Sequence, residues 1–135
     1  MKKIKVIILL IGIIILSGCS KKLTCTYQSE TDNNKIVINF KEDKVISVKE
    51  ENKKTFDSLD AHIDLYNEEQ IETYKVLDNI NGVTYDVKEK KNDVITTVNV
   101  DYEIYNSNNN LIKINKDMTY DNIINLYQSN GYSCK

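Results

Sequence analysis

One stretch limits the fold more than any other: Val94-Ile95-Thr96-Thr97-Val98-Asn99-Val100-Asp101-Tyr102-Glu103-Ile104. Val94, Thr96, Val98, Val100, Tyr102 and Ile104 occupy every second position, opposite Ile95, Thr97, Asn99, Asp101 and Glu103. Successive side chains of a strand point to opposite faces, so this pattern predicts a long strand with one core face and one wet face. Val83, Tyr85 and Val87 share a face of a shorter strand before it, and Lys90–Asp93 makes the hairpin turn between them.

Three further strand-like stretches lie upstream. Leu23, Cys25 and Tyr27 alternate with polar residues, Ile36, Ile38 and Phe40 alternate with Val37 and Asn39, and Val45–Val48 is rich in β-branched residues. Polar turns at Glu30–Asn34 and Lys41–Asp43 separate them, which reads as an antiparallel meander. Ser58 is a candidate N-cap for a helix to about Ile80, since its hydroxyl can accept from a free first-turn amide. On that helix Leu59, Ile63, Tyr66, Tyr74 and Leu77 fall in one arc and should face the sheet. Gln70 interrupts the arc and Ile71 lies outside it, so a bend or break is expected near Asn67–Gln70. Thr119 caps a second, short helix carrying Ile123, Ile124 and Tyr127, after the polar loop Asn106–Asn110. Gly82 and Gly131 each follow a helical pattern and an asparagine, and read as helix stops. The expected fold class is α+β: a five-stranded antiparallel sheet in the order β-β-β-α-β-β-α, with both helices packed on one face.

The N-terminus reads differently. Lys2, Lys3 and Lys5 precede an apolar run of 11 residues, Val6–Leu16. A membrane-spanning helix needs about 20 such residues, whereas this length suits the apolar centre of a signal peptide. Leu16-Ser17-Gly18-Cys19 then resembles the lipobox of bacterial lipoproteins. That resemblance implies a leader over residues 1–18, diacylglycerol on the Cys19 thiol, a tether over 19–22, and one domain over 23–135 anchored to the extracytoplasmic face of the cell membrane. Two acyl chains suffice for stable anchoring. The Lys, Ile, Asn and Tyr richness, with no arginine, proline or tryptophan, suggests an AT-rich genome and hence a low-GC Gram-positive bacterium.

Without the leader, 15 of the 18 lysines remain against all 20 acidic residues, a net charge near −5. No cluster of cations is visible, so nucleic acid is not an expected partner. With Cys19 acylated, Cys25 and Cys134 form an even pair in an oxidising compartment. The expectation is a disulfide between them that fastens the C-terminal segment to the first strand; the alternative is two free thiols. A bond requires Cα atoms within about 4.4–6.8 Å.

The element order, the lipobox and the ending Gly131-Tyr132-Ser133-Cys134-Lys135 together resemble the YehR-like family of small bacterial lipoproteins. The resemblance covers most of the chain after the leader. It implies an α+β fold and a membrane anchor, and it brings no catalytic residues to carry over.

Other candidates for chemistry are sparse. The single histidine, His62, lies beside the apolar arc and reads as an ordinary half-buried helix residue rather than a catalytic base. One histidine without thiols at metal spacing makes a zinc site improbable, and no cofactor is expected. Asp60, Asp64, Glu68 and Glu72 recur every four residues on the opposite helix face; a straight helix cannot wrap a calcium ion, so they read as a solvated face. Of nine tyrosines, Tyr66, Tyr74, Tyr85 and Tyr102 fall on expected core faces. The expected function is a non-catalytic, monomeric surface module that binds a protein or small ligand at the envelope. The alternatives are a small envelope hydrolase with a dispersed site and a passive accessory protein.

Overall fold

The structure, a computed structural model, describes residues 20–57 and 62–135. In chain order these form β1 (Ser20–Gln28), β2 (Asp32–Lys41), β3 (Lys44–Thr55), α1 (His62–Tyr74), one 3₁₀ turn (Lys75–Leu77), β4 (Val83–Lys90), β5 (Asp93–Asp101), α2 (Tyr120–Ser129) and β6 (Ser133–Cys134). The strands make one antiparallel sheet in the order β4-β5-β3-β2-β1-β6. The sheet therefore has six strands rather than the expected five. β6 is only two residues long, too short to carry a period-two pattern, and it exists because Thr24 and Lys135 exchange both backbone hydrogen bonds at 2.9 Å.

Register places the core. Leu23 lies opposite Ile38, Ile38 opposite Val48, Val48 opposite Val100, and Val100 opposite Val83, so one apolar row crosses five strands on a single face. These residues belong to the same buried cluster as Ile123 and Tyr127 of α2 and Leu77 of the 3₁₀ turn. Both helices thus cover this face. The opposite face stays open, with Lys22, Lys35 and Lys49 around Val37. α2 packs beside β1 and β6 and is started, as its pattern predicts, by Thr119, whose Oγ1 accepts from the Asn122 amide at 3.2 Å.

α1 differs from expectation. It runs unbroken past Gln70 and tightens into the 3₁₀ turn only at Lys75. Ile63, Tyr66 and Tyr74 face the sheet but are only half-buried, while Leu65 and Ile71 are exposed. What holds α1 is aromatic: Tyr66 packs on Phe56 at 5.3 Å and Tyr74 on Tyr85 at 6.2 Å between ring centroids. The Lys54 ammonium lies 5.2 Å from the Tyr66 ring centre, a cation–π contact. Leu59 and the proposed Ser58 cap lie outside the described residues.

Gly82 is not a helix stop, because the 3₁₀ turn ends at Leu77. It is instead the third residue of a turn closed by the Val83 amide on the Ile80 carbonyl, with φ +82°. Ile104 also departs from the expected face. β5 ends at Asp101, whose carbonyl accepts from the Tyr105 amide at 2.7 Å, so the chain turns. Tyr105 enters the core in place of Ile104, which is left 59% exposed.

Candidate functional site

The helix-covered face is not apolar throughout. β3 is 12 residues long, and beyond Val48 its covered positions are Glu50, Asn52 and Lys54. Glu50 pairs across the ladder with Ile36 on one side and Val98 on the other, so its carboxylate rises from an apolar floor. The Asn52 amide Nδ2 donates to Glu50 Oε1 at 3.0 Å and fixes its orientation. Among the described residues no cation lies within ion-pair distance of it.

Above Glu50, α2 leaves a cleft of about 310 Å³. Tyr27, Asn34 and Glu50 form its floor; Leu126, Tyr127 and Asn130 of α2 form one wall; Tyr132 and Lys113 complete the rim. Tyr132 stacks edge-on against Tyr127 at 5.2 Å and tilts against Tyr27 at 5.5 Å, and its hydroxyl accepts from Asn34 Nδ2 at 3.4 Å. Lys113 sits on the loop after β5. That loop is pinned next to Lys113, because Ile114 is buried and the Tyr102 hydroxyl donates to its carbonyl.

The phenols around Glu50 titrate unusually. Burial raises the pKa of Tyr127 well above its ordinary value, and the Glu50 carboxylate adds to the shift. Tyr102 is raised by burial, then by Tyr105 and Glu50. Tyr74 is raised by burial and by Glu50, with a hydrogen bond to Asn52 working the other way. Three tyrosines thus remain neutral around one carboxylate across the ordinary pH range. The cleft offers aromatic faces, amide and phenol hydrogen-bonding groups, one acid and one base. Hydrolysis by paired carboxylates needs a second acid, and Glu50 is the single carboxylate among the lining residues.

The structure brings together two residues singled out in the sequence. Cys25 and Cys134 face each other across β1 and β6 with their sulfur atoms 2.02 Å apart and Cα atoms 4.0 Å apart. That Cα separation is shorter than the expected window. Thr24 and Lys135 form the hydrogen-bonded pair, which makes the adjoining cysteines a non-hydrogen-bonded pair, where strands approach most closely. Cys19 lies outside the described residues. His62 is exposed rather than half-buried, whereas Asp64, Glu68 and Glu72 are exposed as expected; Asp60 is outside the described residues. Among the described residues, no three histidine, cysteine or acidic side chains could jointly hold a metal. Glu50 was missed because its neighbours Lys49, Glu51 and Asn52 read as a polar stretch. The signal was the register of Val48: continued by twos, it places Glu50 on the covered face.

No family model matches the chain, and no curated protein matches it in sequence. Among solved structures it is similar to the NMR structure of the Escherichia coli YehR protein. The TM-score is 0.62 and the identity 18%, over 88% of this chain and 93% of that one. It is also similar to the NMR structure of a protein from Streptococcus pneumoniae TIGR4. Here the TM-score is 0.55 and the identity 15%, over 87% and 86%. The chain therefore has a YehR-like fold.

Proposed function

We propose that this chain is a lipid-anchored envelope protein that holds a small ligand in the cleft over Glu50, without catalysing its conversion. The observation that carries this reading is the cleft itself. A helix roofs a polar, aromatic-lined cavity at the low end of the size of ligand sites, and a few fixed polar groups converge there. A passive protein has no need for an acid at this position, where an apolar side chain would pack against the Ile36 and Val98 neighbours of the ladder. The anchor reading comes from the lipobox. It sets Cys19 immediately before β1, while Tyr27, which floors the cleft, is seven residues further along that strand. At about 3.3 Å per residue the cleft lies roughly 23 Å along the strand from Ser20.

The test is a nuclear magnetic resonance screen of the full chain in lipid nanodiscs against a library of small polar and aromatic molecules. Hits should move the signals of Tyr27, Glu50 and Tyr132 together, and Leu126→Trp, which fills the cleft from its wall, should abolish them. Hits that bind the Leu126→Trp chain as well as the parent, or a library without hits, would overturn the reading.

A further inference from the structure

Glu50 and Lys113 line the same cleft, yet they are not within ion-pair distance of each other. Each is positioned by its own element. Glu50 is fixed mid-strand by its two ladder partners and by Asn52. Lys113 is fixed at its backbone by the buried Ile114 and the Tyr102 hydrogen bond. An acid and a base that line one cavity without pairing, together with tyrosine rings, make a receptor for a molecule carrying the opposite charges in the opposite order.

Resting on the ligand-binding reading above, we propose that the ligand is a zwitterion of the α-amino-acid class. Its ammonium sits on Glu50, its carboxylate turns to Lys113, and its side chain lies against Tyr27 and Tyr132. The size fits, since about 310 Å³ is room for a free amino acid or a dipeptide. The tyrosine faces favour the ammonium as well, because the ring quadrupole attracts cations. A sugar would use the same aromatic faces but would leave both charges unanswered, and a simple amine would leave Lys113 unanswered.

The test uses three molecules of one shape. L-phenylalanine carries both charges, phenethylamine only the ammonium, and 3-phenylpropanoate only the carboxylate. Each is titrated into the full chain in nanodiscs, with empty nanodiscs subtracted. L-phenylalanine should bind about tenfold more tightly than either relative, the size of one charge-assisted hydrogen bond. Glu50→Gln keeps the shape and the bond to Asn52, and should weaken phenylalanine about tenfold while leaving 3-phenylpropanoate unchanged. Lys113→Met should reduce phenylalanine to the level of phenethylamine. Equal binding of phenylalanine and phenethylamine, or phenylalanine binding that ignores both substitutions, would overturn the zwitterion assignment. The same holds if none of the three binds while other library molecules still enter the cleft, an outcome that leaves the binding function standing.

Discussion

At the scale of single residues, the covered face of β3 decides both stability and chemistry. Val98 is 6% exposed and lies directly opposite Glu50, whereas Asn99 points to the open face. Val98→Asp should cost several kcal/mol, because it buries a charge directly opposite the Glu50 carboxylate. Asn99→Asp should change stability by less than about 0.5 kcal/mol, as surface substitutions usually do. Thermal melting of the two variants separates them, and equal midpoints would refute the face assignment. The raised pKa values of Tyr127 and Tyr102 predict a pH dependence. Each phenol stays protonated in the fold above pH 10, where the unfolded chain releases its proton. Their stabilisation is therefore complete below pH 10 and is lost as pH rises through the folded values. The slope is up to about 1.4 kcal/mol per pH unit for each tyrosine. Tyr127→Phe should make the decline in unfolding free energy above pH 10 measurably shallower; an unchanged slope would refute the assignment. The core residues of β5 were readable from alternation alone. The role of Glu50 was not, because a charge on the covered face breaks the rule by which covered faces are recognised.

At the scale of elements, turns and the crosslink fix what the helices do not. A Cβ at Gly82 would meet the Tyr105 nitrogen at 2.6 Å and the Asp101 oxygen at 2.8 Å, both rigid backbone. At Gly131 the nearest atom would be the Tyr27 ring at 3.6 Å. Both glycines have positive φ, so either alanine costs about 1 kcal/mol of strain. Gly82→Ala should add roughly 1–3 kcal/mol for the forced shift. Chemical denaturation should therefore rank it well below Gly131→Ala, and equal losses would contradict the close packing at Gly82. The Cys25–Cys134 link closes a span of 109 residues. The chain-entropy argument gives about 4–5 kcal/mol for such a loop. Reduction should lower the denaturation midpoint accordingly, and alkylation without reductant should leave Cys25 and Cys134 unmodified. The element order was legible up to α2, because each longer element carries its own period. β6 was not, since two residues have no period and depend on a partner more than 100 positions away. The true length of β3 was hidden as well, since its second half lacks an apolar residue at every covered position.

At the scale of the whole molecule, the lipobox reading predicts that Cys19→Ala abolishes fatty-acid labelling and releases the chain from stable membrane association. Labelling that survives the substitution would end that reading. The ends of the sheet differ in how they meet solvent. β4 forms one edge and carries Lys88 and Lys90, and β6 covers only two residues of β1 on the other. Charged and interrupted edges discourage strands of neighbouring copies from pairing. The placement of β1 has a mechanical consequence. Force entering at Ser20, and resisted at Asn34 on the neighbouring strand, runs along the strand axis. The hydrogen bonds joining β1 to β2, from Ser20 opposite Lys41 to Gln28 opposite Asn33, are then loaded together in shear rather than opened in turn. Past Thr24 the tension also meets a covalent link, so the chain beyond Cys25 cannot peel away without drawing the segment around Cys134 with it. Were the chain held just before Ser20, a steady pull there would have to break these bonds together rather than one at a time.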